Sequence, residues 1–321
     1  MPLPRVDSLI TTEQMSVPGS DQVFMIGCLD RQITFYAQQL RAFNLVWALF
    51  EQQRLFPGSD VAIVGGGIAG MTVAAAALLK GCRVTLLEST SRLLHLQEGN
   101  YTRFVHPNIN FWPDEKSRSD STDLPCLNWF ASYAGEVALE LVRQWSVLDA
   151  GPNLRVFLSS RVEAIERNSD DNPVPIISNK TVPQQPYDCV ILAVGFGVER
   201  QLGKVPFRSY WDEEPLHQPI KKEPIPRNCL VTGCGDGGLI DTLRLRIGNF
   251  RHHQFVHSFL DRKEFTSLRT RLLEIEEEAK QSKLPDDIAI PPSSYIQDIT
   301  NSKYLLRYSR AFIFVPIQQL P

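Results

Sequence analysis

Apolar positions recur along this chain first with the spacing of a helix and then in short β-branched runs. Over residues 32–53, Ile33, Tyr36, Leu40, Phe43, Val46, Trp47 and Phe50 fall three or four residues apart, which predicts an amphipathic helix. Residues 1–25 before it are polar and proline-punctuated and read as a loose arm. Pro57 and Gly58 then turn the chain into a strand at Val61, Ile63 and Val64. An alanine-rich helix follows as far as Lys80, Gly81 stops it, and residues 83–87 form a second strand. Residues 89–113 show little periodicity and residues 114–124 are polar and read as exposed. Residues 129–148 place Val137, Leu141, Val142 and Trp145 on one side of a long helix, ended by Gly151 and Pro152. Residues 153–167 alternate like paired strands, 168–186 form a proline-rich polar excursion, and a buried strand from Tyr187 runs into a glycine-containing turn. Five prolines between 203 and 227 predict irregular chain. A short strand at 230–232 then meets a second glycine cluster and an apolar helix, and helices follow beyond Asn249.

The stretch from 61 to 88, VAIVGGGIAGMTVAAAALLKGCRVTLLE, organises this pattern. Gly65, Gly67 and Gly70 occupy the glycine positions of GxGxxG between a strand and a helix, and Glu88 ends the next strand 23 residues after Gly65. Each residue type has a physical task. Gly65 permits a tight turn, Gly67 lets backbone approach a pyrophosphate, Gly70 lets helix and strand pack closely, and Glu88 accepts hydrogen bonds from ribose hydroxyls. The unpaired N–H groups of the helix N-terminus favour an anion there. The fold class expected is therefore α/β, a Rossmann-like dinucleotide-binding domain with a parallel sheet and helical additions at both ends. Its division is an N-terminal arm and helix over 1–58, the nucleotide-binding region over 59–248, and a mainly helical region over 249–321. The apolar FIFVPI near the end is what a chain cut short would show.

Composition narrows the function. Thirty-three basic against 36 acidic side chains give a net charge of −3, so no basic field recruits nucleic acid or anionic lipid. No apolar leader precedes the fold and residues 42–50 are too short to span a bilayer, so a soluble, cytoplasmic protein with no membrane partner is expected. Six scattered cysteines without a CxxC fit a reduced compartment and carry no assigned chemistry. His253, His257 and Asp261 fall at successive i, i+4 steps, which a polar helix face explains as well as a metal site, and no metal is assigned. The loop after Glu88 holds Arg92, His95, Tyr101, Arg103, His106 and Trp112. Arg92 is the candidate for a diphosphate and Trp112 for an aromatic ring. No catalytic residue is named, and Tyr101 and His106 are the first to vary because loops after the first βαβ unit reach the crevice.

Taken together, these glycine stations resemble the flavoprotein oxidoreductases built on two dinucleotide-binding domains, the superfamily of glutathione and thioredoxin reductases, flavin monooxygenases and amine oxidases. The resemblance covers residues 59–248. It implies that Gly65, Gly67, Gly70 and Glu88 bind the ADP half of FAD, that Val162 in SSRVEAIER meets adenine through its backbone, and that Ala193, Val194 and Gly195 form the ATG-type turn. The later TGCGDGG, with Gly233, Gly235, Asp236 and Gly238, resembles the second fingerprint for NAD(P)H. It also resembles a GD motif whose aspartate binds flavin ribitol, and the glycine loop of a methyltransferase. No strand ending in an acid or an arginine pair follows it. Leu93 and Leu94 stand where amine oxidases carry a glycine doublet, and the redox cysteine pair of the disulfide reductases is missing after the first fingerprint, so the subfamily stays open. The activity implied is an FAD-dependent oxidoreductase moving a hydride between a small-molecule substrate or NAD(P)H and flavin. The alternative is a non-enzymatic FAD/NAD-binding sensor or interaction module. Substrate, electron acceptor and oligomeric state are not legible.

Overall fold

The computed structural model describes residues 7–26, 33–111, 115–148, 151–167, 175–178, 185–195, 209–213, 231, 236–247, 250–260, 268, 270, 271 and 274. The chain forms two compact units, Met1–Asp212 and Glu213–Pro321.

The first unit opens with α1 (Ser8–Met15), capped by Asp7, whose carboxylate accepts hydrogen bonds from the Leu9 and Ile10 amides. Its chain continues into β1 (Val23–Met25), which lies parallel to β9 (Cys189–Leu192) with Met25 opposite Leu192. The expected loose arm is thus an integral part of the sheet. Three residues are too few to show strand alternation, and the partner strand lies far along the chain. Helix α2 (Phe35–Glu51) begins where Thr34 Oγ1 accepts the Ala37 amide, and it buries Ala42, Leu45, Val46 and Leu49. Ile33 and Trp47 of the expected stripe are exposed, Ile33 because it precedes the N-cap and Trp47 because the buried face is centred on Ala42 and Leu49.

The central unit is as expected: β2 (Asp60–Val64), α3 (Ile68–Leu79) and β3 (Arg83–Leu87). The β2–β3 pairing is parallel, with Val64 opposite Leu87. Val73, Ala74, Ala75 and Ala77 are fully buried, so the thin face of α3 lies close against the sheet and α2 packs beside it. The short strands β4 (Phe104–Val105) and β5 (Ser132–Tyr133) pair antiparallel ahead of α4 (Ala134–Leu148). That helix starts five residues later than the apolar spacing suggested. Trp129 lies before it, buried, its indole Nε1 donating to Gln39 Oε1 at 2.8 Å. Val137, Leu141 and Trp145 are buried as expected, whereas Val142 is exposed.

Residues 153–167 do contain two strands, but they do not pair with each other. β6 (Leu154–Phe157) extends the main sheet beside β3, and β7 (Ala164–Arg167) pairs antiparallel with β8 (Pro175–Ser178) inside the proline-rich excursion. Alternation announces a strand without naming its partner. The main sheet has the order β1-β9-β2-β3-β6, and all its pairings are parallel. In the second unit the described elements are α5 (Asp236–Arg246) and α6 (His252–Leu260). The expected strand at 230–232 lies outside the described residues, apart from Val231.

Candidate dinucleotide-binding site

The order of the strands positions the site. From β2 the chain moves outward through β3 to β6, and then returns to the other side of β2 as β9. The direction of winding therefore switches between β2 and β9, and parallel α/β sheets bind nucleotides at the C-terminal strand ends beside such a switch. Gly65 and Ala193 stand side by side at those ends.

Glycine is required here by measurable closeness. A Cβ on Gly65, which has φ +112°, would meet the Ala193 carbonyl oxygen at 2.3 Å, and one on Gly70 would meet the Gly65 oxygen at 1.9 Å. At Gly67 the corresponding position has nothing within 4 Å. Gly67 is also the N-cap of α3 and offers no side-chain cap, so the first-turn amides of the helix have no capping side chain beside an open position. Gly65 and Gly70 build the turn, whereas Gly67 keeps it open.

Glu88 follows β3 and is buried, its Oε2 accepting the Gly66 amide at 2.6 Å and its Oε1 the Thr90 amide at 2.7 Å and the Ser89 hydroxyl at 3.1 Å. Burial works to raise its pKa, but the hydrogen bonds from Gly66, Thr90 and Ser89 outweigh it and hold the carboxyl below its ordinary value. The side chain is a fixed anion. Backbone and side-chain donors of the surrounding loops thus hold both of its oxygens.

Several residues of this cradle escape a motif reading. A Cβ on Gly66 would meet Leu93 Cδ2 at 2.6 Å and Glu88 Cβ at 3.0 Å, and Leu94 donates its amide to the Gly66 oxygen at 3.1 Å. Leu94 does so at φ +51°, a conformation that costs a leucine of order 1 kcal/mol or more. The run of three glycines was the one available signal for Gly66; nothing marked Ser89, Thr90, Leu93 or the backbone of Ala193.

The other candidates separate. Gly195 ends the turn after β9 at φ +67° with open space at its Cβ position, and the Ala193 amide is bound to the Val64 oxygen at 2.8 Å. Val162 is half-buried and packs on the second apolar cluster, with Val64, Leu87 and Val190. Arg92 is exposed and its Nη1 lies 2.8 Å from Glu98 Oε2, a surface pair worth at most about 1 kcal/mol. Tyr101 and His95 are exposed. His106 is buried, its Nδ1 accepting the Asn108 amide at 3.2 Å while its Nε2 lies 3.0 Å from Asp120 Oδ1. Its Nδ1 is thus taken up within the loop, and its Nε2 faces the Asp120 carboxylate.

Trp112, Gly233 and Gly235 lie outside the described residues, as does the side chain of Asp236, whose backbone begins α5; Gly238 sits in the first turn of that helix. Asp261 is also outside them, and among the described residues no group of three or more side chains is arranged to hold a metal. Burial pushes the Cys82 and Cys126 thiols up to about 11, so neither is a nucleophile near neutral pH. Among the described residues no helix is long and apolar enough to cross a membrane.

Residues 60–154 match the family described as FAD dependent oxidoreductase. The fold is thus a Rossmann-like dinucleotide-binding region with a parallel sheet, and over residues 60–154 it is similar to that family. No curated protein matches the chain. Among solved structures, the water-forming NADH oxidase of Lactobacillus brevis is 18% identical over 55% of this chain and 26% of its own, with a TM-score of 0.30. The ferredoxin reductase of Rhodopseudomonas palustris is 19% identical over 47% of this chain and 27% of its own (TM-score 0.29). For the HOCl-induced flavoprotein disulfide reductase of Escherichia coli the figures are 19%, 43% and 22%, with a TM-score of 0.24. The chain spans about a quarter of the length of these neighbours.

Proposed function

We propose that the site at the C-terminal ends of β2 and β9 binds FAD and that the chain is an FAD-dependent oxidoreductase, exchanging a hydride between the flavin and NAD(P)H or a small-molecule substrate. The observation that carries this reading is the glycine cradle. Two glycines are forced by contacts of 2.3 and 1.9 Å, and a third faces open space at an uncapped helix N-terminus.

Gly67 and the first amides of α3 hold the diphosphate, with Arg92 able to leave Glu98 and add its charge. Glu88 accepts a hydrogen bond from the adenosine ribose, and a 2′-phosphate would be repelled by its fixed negative charge. The backbone at Val162 meets adenine, and Gly195 leaves room for the rest of the dinucleotide. Gly233, Gly235, Asp236 and Gly238 bind NAD(P)H, a reading that rests on their order after the 193–195 turn. When bound, the flavin supplies the hydride chemistry, and the protein supplies binding, orientation and exclusion of water.

The test is the visible spectrum of the purified protein, with heat release and separation of what is bound. An absorption band near about 450 nm, FAD in the supernatant and bleaching by NADH or NADPH are expected. A protein that binds FAD but is reduced by no donor is a binding module instead. One that refuses FAD and takes NAD(H) sinks the flavoprotein reading.

A further inference from the structure

We infer that Asn100 is a positioning residue for the nucleotide cradle, setting the glycine loop from behind through a continuous hydrogen-bonded turn; this rests on the site proposed above. The turn can be followed atom by atom. The Gly66 oxygen accepts the Leu94 amide at 3.1 Å, the Leu94 oxygen accepts the Gln97 and Glu98 amides at 3.0 and 3.1 Å, and the Gln97 oxygen accepts the Asn100 amide at 3.1 Å. The Asn100 oxygen then accepts the Gly135 amide at 2.7 Å, in the first turn of α4. Glycine loop and α4 are joined by one short run of backbone.

Asn100 is the fixed end of that run. It is 1% exposed, and its side chain serves both directions: Oδ1 accepts the Thr102 and Arg103 amides at 3.1 and 2.8 Å, and Nδ2 donates to the Trp211 oxygen at 2.7 Å. Gly135 is matched to it, because a Cβ there would meet the Asn100 oxygen at 2.9 Å and its nitrogen at 3.1 Å. A side chain on Gly135 would push the two backbones apart, and loss of the Asn100 amide would release the turn from its other side. The displacement would pass along the turn to Leu93 and Leu94, which rest on Gly66, and so to the amide that Gly66 presents to Glu88.

Asn100→Ala and Gly135→Ala disturb this joint from its two sides, and Asn100→Asp keeps an acceptor for Thr102 and Arg103 but sets a buried carboxylate oxygen against the Trp211 oxygen. In the full-length protein, the dissociation constant for FAD is measured by fluorescence together with the melting temperature and hydrogen–deuterium exchange over residues 65–70. Both alanine variants should weaken FAD about tenfold or more and speed exchange in the glycine loop, their double variant should lose less than the product of the two, and Asn100→Asp should weaken FAD at least as much as Asn100→Ala. Lower melting temperatures with FAD affinity and loop exchange as in the wild type would overturn the assignment. If the wild type binds no FAD, the flavoprotein reading falls by itself. Asn100 is then judged on exchange, and unchanged protection of residues 65–70 in Asn100→Ala overturns it.

Discussion

Gly70 and Gly67 belong to one motif but answer to different forces, and substitution separates them. In Gly70→Ala the new methyl would overlap the Gly65 oxygen, at 1.9 Å, so the turn must open. Overpacking of this kind costs typically about 1–3 kcal/mol, and both melting temperature and FAD binding should fall. In Gly67→Ala the methyl meets nothing, so the fold should melt as the wild type does while FAD affinity drops about tenfold, about 1.4 kcal/mol, because the methyl occupies the diphosphate's space. Calorimetric melting beside FAD titration of the two variants distinguishes these outcomes. Glu88 adds a pH signature. Its carboxyl is held below the ordinary value, so its contribution to stability is complete above the unfolded value of about 4.3 and is lost as pH falls through the lower folded value. Glu88→Gln removes the charge from hydrogen bonds worth roughly 1.5–3 kcal/mol. Urea unfolding across the acid range should show the variant less stable at neutral pH and converging on the wild type as acid protonates Glu88.

At the scale of elements, the βαβ core is legible in the sequence because every signal in it is local: β-branched strands, an alanine helix, a stop glycine and an acid at the strand end. What escaped is non-local. β1 is three residues paired with a strand late in the unit, β6 takes its place beside β3 because the sheet offers an edge there, and α4 starts at Ala134 because Trp129 is drawn away to Gln39. The site divides in the same way. Gly65, Gly67, Gly70 and Glu88 are named by spacing, while Gly66, Thr90, Leu93 and Leu94 become visible only when the loop after β3 is seen folded onto the glycines. β1 gives the sharpest test at this scale. Phe24 is 1% exposed within it, so Phe24→Ala should destabilise the protein by about 3–5 kcal/mol in denaturant unfolding, as a core residue does, whereas a residue of a loose arm would cost almost nothing.

For the whole molecule, the division into Met1–Asp212 and Glu213–Pro321 bears on what the second glycine cluster does. All five strands of the main sheet lie in the first unit, with the cradle, Glu88 and the Gly195 turn, so a fragment of residues 1–212 carries every described element of the proposed FAD site. Gly233, Gly235, Asp236 and Gly238 lie in the second. If they bind NAD(P)H, the fragment should take up FAD with the affinity of the full chain, keep its absorption band, and no longer be bleached by NADH or NADPH. If Asp236 instead holds the flavin ribitol, the fragment should lose about 1.5–3 kcal/mol of FAD binding, the worth of a charge-assisted hydrogen bond, which is a factor of roughly ten to a hundred in Kd. FAD titration of fragment and full chain, followed by anaerobic addition of dithionite and then of each nicotinamide donor, reads both quantities. Reduction by dithionite in both proteins, with reduction by NAD(P)H in the full chain alone, is the expected result and ties each glycine cluster to its own nucleotide.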